Sequence, residues 1–214
     1  MATQTSSFSS FSTLSRAGEY TSGGNAYRWV NRTNAQTSNN SYSTLSYSDA
    51  SFIPGAAAIS LSSQTTNYLV CTGLSSAIPA GATINGITVK IERYNSNTSE
   101  EAPLTVVDSA IYLTKDGTTT VGSNKSAAAT WQTTDNNTTV DFGGAADLWG
   151  TTLTAAEVNA STFGVMISPS ISYNNYNEIG ASILIDQVTI TVDYTGGTVR
   201  RQGVFTSAAV IRTV

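Results

Sequence analysis

The chain has 214 residues, of which 11% are charged, with a formal net charge of −4 and no histidine. Globular domains average about 25% charged residues, and acid–base catalysis and zinc binding draw heavily on histidine. This composition argues against an enzyme or a zinc protein, and it predicts no catalytic, cofactor-binding or metal-binding residue. The basic residues form no dense cluster, which argues against a nucleic-acid partner because phosphate binding needs several cations on one face.

The sequence also predicts neither a membrane segment nor a disulfide. No run reaches about 18 apolar residues, the length that spans a bilayer, and residues 1–14 lack the basic and apolar regions of a signal peptide. A single cysteine, Cys71, allows no internal disulfide. Because Cys71 follows an apolar run, we predict that it is buried, and we expect the protein to fold in a reducing cytoplasm.

Residues 1–19 predict an extended N-terminal arm. They hold six serines and three threonines, with Phe8, Phe11 and Leu14 at intervals of three. Such a segment has too little apolar surface to order itself. We therefore predict that its three large apolar side chains anchor it on a neighbouring subunit.

Residues 20–194 predict one β-sandwich domain. Residues 67–74 are apolar enough for a strand that is covered on both faces. Residues 84–94 alternate, which indicates a strand with one buried and one wet face. The predicted inward rows are Ile87, Val89 and Ile91; Val107, Ser109, Ile111 and Leu113; Thr138, Val140 and Phe142; Phe163, Val165 and Ile167; and Val188, Ile190 and Val192. On the wet face of 84–94 we expect Thr88, Lys90 and Glu92.

One short helix is predicted, beginning at Thr154. Thr154 and Glu157 have the spacing of a capping box, in which both side chains bind free backbone N–H groups at a helix start, and we expect the helix to end near Ala160. Elsewhere strands recur every roughly 10–20 residues between Gly, Asn and Ser turns, which is typical of a sandwich. The predicted fold is all-β: an antiparallel jelly-roll-like β-sandwich with extended N- and C-terminal arms and at most one short helix.

The polar stretch Ser172–Glu178 is the best candidate for a binding loop. Its residues Tyr173, Asn174, Asn175 and Tyr176 combine aromatic contact area with adaptable hydrogen bonding, as in the loops of binding proteins. The alternative is a polar hairpin whose tyrosines fold onto their own sheet. The tryptophans Trp29, Trp131 and Trp149 are predicted to be packed in the core, since large aromatic residues are mostly buried.

Residues 195–214 predict a C-terminal tail or arm. It begins at Gly196-Gly197, a break after the last predicted strand, and then carries apolar residues that need a covering surface. Two interpretations stay open: the tail closes the domain's own sheet, or it docks on a neighbouring subunit. In the second case, Val204, Phe205 and Ile211 are the predicted anchors.

Paired carboxylates are an arrangement that the composition leaves possible, since glycosidases need only two acidic residues. The candidates are Glu100, Glu101, Asp135 and Asp141. Glu100 and Glu101 lie in a polar loop, where a solvated charge is the ordinary case. Asp141 is predicted to face outward from its strand. Calcium is less firmly excluded than zinc, because sandwich loops gather carboxylate and carbonyl oxygens, but the chain has no EF-hand-like ligand series.

Seven segments of the chain share a pattern with a known family: 27–31, 34–36, 40–44, 66–70, 78–87, 147–150 and 185–192. They resemble a β-sandwich family of virion structural proteins found in tailed bacteriophages. The resemblance covers roughly residues 25–194, is most specific from Asn67 to Ile91, and includes neither arm. It implies no enzymatic residues.

The resemblance and the two arms together predict a capsid decoration, or cement, protein. Such a protein is assembled into the virion in the host cytoplasm, as a homo-oligomer, by analogy a trimer, and bridges neighbouring copies of the major capsid protein. A ligand that binds only the assembled shell stabilises it by mass action. The alternatives are a tail, collar or fibre component with a connector or receptor-binding role, and a carbohydrate-binding module or adhesin.

Overall fold

Two antiparallel sheets packed face to face form the described part of the protein. The computed structural model describes residues 1–19, 21–22, 25–47, 59–96, 104–135, 137–176 and 183–197. The strands follow the chain as β1 (Ala2–Ser7), β2 (Ser10–Leu14), β3 (Thr21–Ser22), β4 (Asn25–Val30), β5 (Ser43–Tyr47), β6 (Ile59–Thr65), β7 (Tyr68–Thr72), β8 (Thr83–Asn95), β9 (Leu104–Thr114), β10 (Thr120–Val121), β11 (Thr139–Gly144), β12 (Gly164–Tyr176) and β13 (Ile183–Thr195). The predicted all-β sandwich is confirmed.

Each sheet is organised around one long pair of strands. The first sheet has the order β11-β8-β13-β5-β4-β3, and the second has the order β10-β9-β12-β7-β2. In the first sheet, β5 and then β1 pair with the free side of β13. In the second sheet, β7 and then β6 pair with the free side of β12. The β8–β13 and β9–β12 pairs therefore form the continuous centre of the sandwich.

The first residues of the chain form two of these strands. All six residues of β1 pair with β13, and all five residues of β2 pair with β7 in the opposite sheet. Phe8 lies where the chain crosses between the sheets and is 0% exposed. The structure thus replaces the predicted N-terminal arm with two strands of the sandwich. A Ser/Thr-rich segment needs no core of its own when an existing sheet supplies hydrogen-bond partners and a surface that suits Thr.

Most of the predicted inward rows are confirmed. The apolar side chains of β8, of β13 and of the start of β12 are buried between the sheets. β7 is covered on both faces as predicted: Leu69 and Cys71 lie in the main core, whereas Tyr68 and Val70 belong to a second cluster on the other face. Burial raises the pKa of the Cys71 thiol. Thr138 is exposed ahead of β11, so the row predicted there begins only at Val140.

In β9, only two of the four residues predicted to face inward lie in the main core. Ile111 and Leu113 are in the main core, but Val106 takes the place predicted for Val107, and Ser109 is only half-buried. The pairing of β9 with β12 shifts at this point, because Ala110 lies opposite Ser168 and Asp108 lies opposite the next residue. One extra residue in a strand moves every following side chain to the other face. A strict alternation therefore cannot predict this strand.

The capping box is present as predicted. α1 (Ala155–Val158) is the one α-helix in the described ranges and ends two residues before the predicted Ala160. The Glu157 backbone N–H donates to Thr154 Oγ1 at 3.2 Å, and the Thr154 N–H donates to Glu157 Oε2 at 2.8 Å. A short 3-10 helix, Arg32–Ala35, packs against β13 between the positions of β5 and β1. No helix among the described residues is long and apolar enough to cross a membrane.

Candidate functional site

The predicted anchors of the N-terminal arm, Phe8, Phe11 and Leu14, pack against their own domain. Phe8 is fully buried, and Phe11 is half-buried against the main core. Leu14 is half-buried against the second cluster, on the outer side of β7. The three side chains thus contact different parts of the same domain, and the assignment of Phe8 to a neighbouring subunit is corrected. The predicted anchors of the C-terminal arm, Val204, Phe205 and Ile211, lie outside the described residues.

The predicted binding loop is also placed differently. Tyr173, Asn174, Asn175 and Tyr176 continue β12 instead of forming a loop. Tyr173 pairs through its backbone with both β9 and β6, and the register with β6 is irregular from there to Tyr176. The strand continues because β9 pairs with it as far as Tyr173 and β6 pairs with it again at Tyr176, which the polar sequence does not reveal. A binding role for these four side chains stays a prediction.

The three tryptophans are core residues, as predicted. Trp29, Trp131 and Trp149 are at most 1% exposed. Each indole N–H has a buried acceptor: the Asn67 carbonyl for Trp29, Asp108 Oδ1 for Trp131, and the Ile87 carbonyl for Trp149. Buried tryptophans of this kind contribute packing and a satisfied hydrogen bond. None of them offers its ring to a sugar at the surface.

Two ion pairs at the surface hold loops in place. Lys115 Nζ lies 2.8 Å from Glu157 Oε1 in the capping box, and Lys125 Nζ lies 2.7 Å from Asp147 Oδ2. The Lys115 ammonium, with the backbone N–H of Thr154, lowers the pKa of Glu157. These carboxylates are fixed, ionised acceptors, which is a structural role.

Two of the carboxylates considered as catalytic candidates are described, and each has a different partner. Asp141 faces outward as predicted and lies 3.8 Å from Lys90, with more than half of its side chain exposed. Asp135 accepts a hydrogen bond from the Tyr42 hydroxyl. Glu100 and Glu101 lie outside the described residues. The described part of the chain contains no group of three or more acidic or cysteine side chains placed to hold a metal ion.

One charged pair lies inside the sandwich and joins its two sheets. Arg93 in β8 donates from Nη2 to Asp108 Oδ2 in β9 at 2.6 Å, and both side chains are nearly inaccessible to solvent. The Trp131 indole N–H donates to the other oxygen of Asp108 at 2.9 Å, and the Arg93 guanidinium lies 4.7 Å from the centre of a Trp131 ring. Burial raises the pKa of Asp108, while Arg93 and Trp131 oppose that shift. The arrangement is a neutralised charge pair with few unmet hydrogen bonds.

A second buried charged residue lies on the opposite face of β8, and it forms no ion pair with a basic side chain among the described residues. Glu92 is 5% exposed, although the alternation of 84–94 predicts that it faces water. It lies across the β8–β13 pair from the bulge at Asp186, which is 1% exposed. Burial, together with the negative charges of Asp186 and Asp135, raises the pKa of Glu92.

The sequence offered little to locate this acidic group. Glu92 fits the wet row of its strand, and Asp186 lies in a bulge that interrupts the pairing of β13. The segment that covers them, residues 36–42, is far away in sequence, and Asn39 and Asn40 donate their backbone N–H groups to Asp186 Oδ2. Only the excess of Asn and Ser in 36–42, typical of irregular structure, pointed to a loop there.

No family model, curated protein or solved structure matches this chain. The resemblance to virion structural proteins therefore stays a prediction from the sequence.

Proposed function

We propose that this chain is a non-enzymatic structural protein of a tailed-bacteriophage virion. In this proposal it is a capsid decoration protein that binds the assembled shell and bridges neighbouring copies of the major capsid protein. The observation that carries the proposal is the use of its few charged groups. Six of those described, in three ion pairs, fix loops, cap a helix or join the two sheets.

A scaffold of this kind suits a protein that works by contact. Three ion pairs hold parts of the sandwich together, and in this proposal the function of the chain lies in its shape and surface. A surface with few charges packs against neighbours without the cost of desolvating many ions. The resemblance of residues 25–194 to virion sandwich proteins supports the same assignment.

We place the proposed docking segment on the C-terminal side of the sandwich. Because β1 and β2 belong to the sheets, residues 1–14 are no longer available as a separate arm. β13 ends at Thr195, and Gly196 and Gly197 follow with φ angles of 71° and 95°, a backbone region that favours glycine. The segment from 198 onward, with Val204, Phe205 and Ile211, is therefore our remaining candidate for the contact with the shell.

Such a contact stabilises the shell by mass action. If the C-terminal segment binds a surface that exists only between assembled capsid subunits, every bound copy favours the assembled state over free subunits. The sandwich then serves as a rigid body that covers the joint, and a second copy of the chain can occupy each equivalent position by symmetry.

Two deletions test this assignment. We expect a variant without residues 198–214 to keep the circular dichroism spectrum and cooperative unfolding of the full chain but to lose binding to particles stripped of this protein. The matched control deletes residues 1–7, which removes β1, and we expect it to unfold at a lower temperature. Full occupancy of the stripped particles by the variant without 198–214 would contradict the proposed docking segment.

A further inference from the structure

We propose that Glu92 and Asp186 bind a divalent metal cation of the hard, oxygen-binding class, of which Ca²⁺ is the best fit. The two residues lie on the paired strands β8 and β13, where Glu92 is opposite Gln187, the residue that follows Asp186. Both are more than nine-tenths buried. The proposal concerns the sandwich itself and does not depend on the role assigned to the C-terminal segment.

The hydrogen bonds of the two carboxylates leave one oxygen of each without a partner. Asp186 Oδ2 accepts from the backbone N–H groups of Asn39 at 3.1 Å and Asn40 at 3.0 Å. Glu92 has a hydrogen bond with the Ser38 side chain. Asp186 Oδ1 and Glu92 Oε1 are buried and have no hydrogen-bond partner. An ionised oxygen that is buried without a partner is costly, so these two atoms point to a ligand that supplies positive charge.

The local charge balance points the same way. Asp186 and Asp135 both act on Glu92 with negative charge. The two basic residues that flank Glu92 along β8 are engaged elsewhere: Lys90 pairs with Asp141, and Arg93 pairs with Asp108 in the interior. Among the described residues, the charged groups that act on the Glu92 carboxyl are both acidic, and one divalent cation would neutralise the two neighbouring buried carboxylates.

The donor set selects the class of metal. Carboxylate oxygens favour hard cations, whereas zinc and copper favour the nitrogen and sulfur ligands of histidine and cysteine. The chain has no histidine, and its one cysteine is buried in the main core. Because only two carboxylates are at hand, the remaining ligands are neutral oxygens and water. Ca²⁺ accepts such irregular shells of six to eight oxygens, whereas Mg²⁺ requires a regular octahedron.

Thermal unfolding of the full chain, first freed of metal with EDTA, tests the site. We expect saturating CaCl₂ to raise the melting temperature by about 5 °C or more, the scale expected for a ligand near a hundred times its dissociation constant. MgCl₂ at the same concentration should give a smaller rise. The variants E92Q and D186N should lose the response to calcium. D141N is the matched control, since it removes one exposed carboxylate outside the site and should respond as the wild type does.

Isothermal titration calorimetry gives a readout that does not depend on unfolding. We expect one calcium per chain in the wild type and in D141N, and none in E92Q, which keeps the shape of the side chain. A wild type that shows neither heat of binding nor a change of melting temperature would overturn the proposal. Equal calcium responses in E92Q, D186N and the wild type would overturn it as well.

Discussion

Glu92 and Arg93 are consecutive residues of β8, and their opposite surroundings show how this fold treats buried charge. Arg93 points between the sheets and meets a carboxylate that is itself held by Trp131. Glu92 points to the other face and meets further negative charge from Asp186 and Asp135. Burial is therefore common to both, and the difference lies in the partner. A neutralised charge can be held in a packed interior, whereas an uncompensated charge marks a place where a ligand or a proton is needed.

The largest effect is expected when Asp108 loses the positive charge of Arg93. Arg93→Met leaves a buried carboxylate without its cation, and we expect the free energy of unfolding to fall by about 3–5 kcal/mol. Urea denaturation of the variant and the wild type measures this loss. The double variant Arg93→Met/Asp108→Leu should recover much of it, because no buried charge remains. A loss of under about 1 kcal/mol in the single variant would show that Asp108 is not buried as an ion.

A smaller loss of stability is expected when Asp108 loses its hydrogen bond from Trp131, the uncharged partner. Trp131→Phe keeps most of the ring that packs against Arg93 but removes the indole N–H that donates to Asp108. A hydrogen bond to a charged group contributes about 1.5–3 kcal/mol, and we expect a loss of that size in urea denaturation. An unchanged stability would mean that Arg93 alone satisfies the carboxylate.

On the opposite face of β8, removing the charge of Glu92 should stabilise the protein instead of destabilising it. In EDTA at neutral pH, we expect Glu92→Gln to raise the free energy of unfolding by about 1–2 kcal/mol, the scale of one unsatisfied buried polar group. In saturating calcium the order should reverse, because only the wild type gains from the ion. Destabilisation by Glu92→Gln in EDTA would show that the ionised Glu92 is already compensated.

The same residue predicts a pH dependence in the absence of metal. The pKa of Glu92 is raised above its usual 4.5, so the folded state binds the proton more tightly than the unfolded state does. The linkage relation then requires stability to fall as the pH rises from 4.5 through the raised pKa. Other groups also titrate there, so we predict the slope as a difference between the wild type and Glu92→Gln across that range. Equal slopes in the two proteins would contradict the raised pKa.

The smallest effect is expected at the exposed ion pair beside these residues. Lys90 and Asp141 lie 3.8 Å apart with about half of each side chain in solvent. Exposed pairs contribute roughly 0–1 kcal/mol, so Lys90→Met should change the free energy of unfolding by no more than that. A larger loss in urea denaturation would mean that an exposed charge on this face contributes strongly to stability. Burial would then not explain the contrast between Glu92 and Arg93.

Local patterns in the sequence predicted the parts of the fold that depend on local chemistry. The alternation of 84–94 gave β8 and its buried row, and the spacing of Thr154 and Glu157 gave the start of α1. Both follow from backbone geometry over a few residues. The predicted burial of Cys71 follows in the same way from the apolar residues around it.

Long-range pairing accounts for the parts that the sequence did not predict. The polar residues of β1 become a strand only because β13 lies beside them, and the tyrosines after 172 stay in β12 because β9 and β6 continue alongside. The burial of Glu92 depends on a segment some 50 residues earlier in the chain, near Ser38. None of these neighbours is visible in a window of local sequence, which is why the acidic group was missed.

The abundance of this chain in purified virions tests the proposed structural role most directly. Quantitative mass spectrometry can measure its molar ratio to the major capsid protein in the same particles. A shell-wide decoration protein occupies symmetry-equivalent positions, so we predict a ratio of small whole numbers, such as one to one or one to two. A few copies per particle would contradict a decoration role and favour a tail or collar component, and absence from every particle would contradict the virion assignment itself.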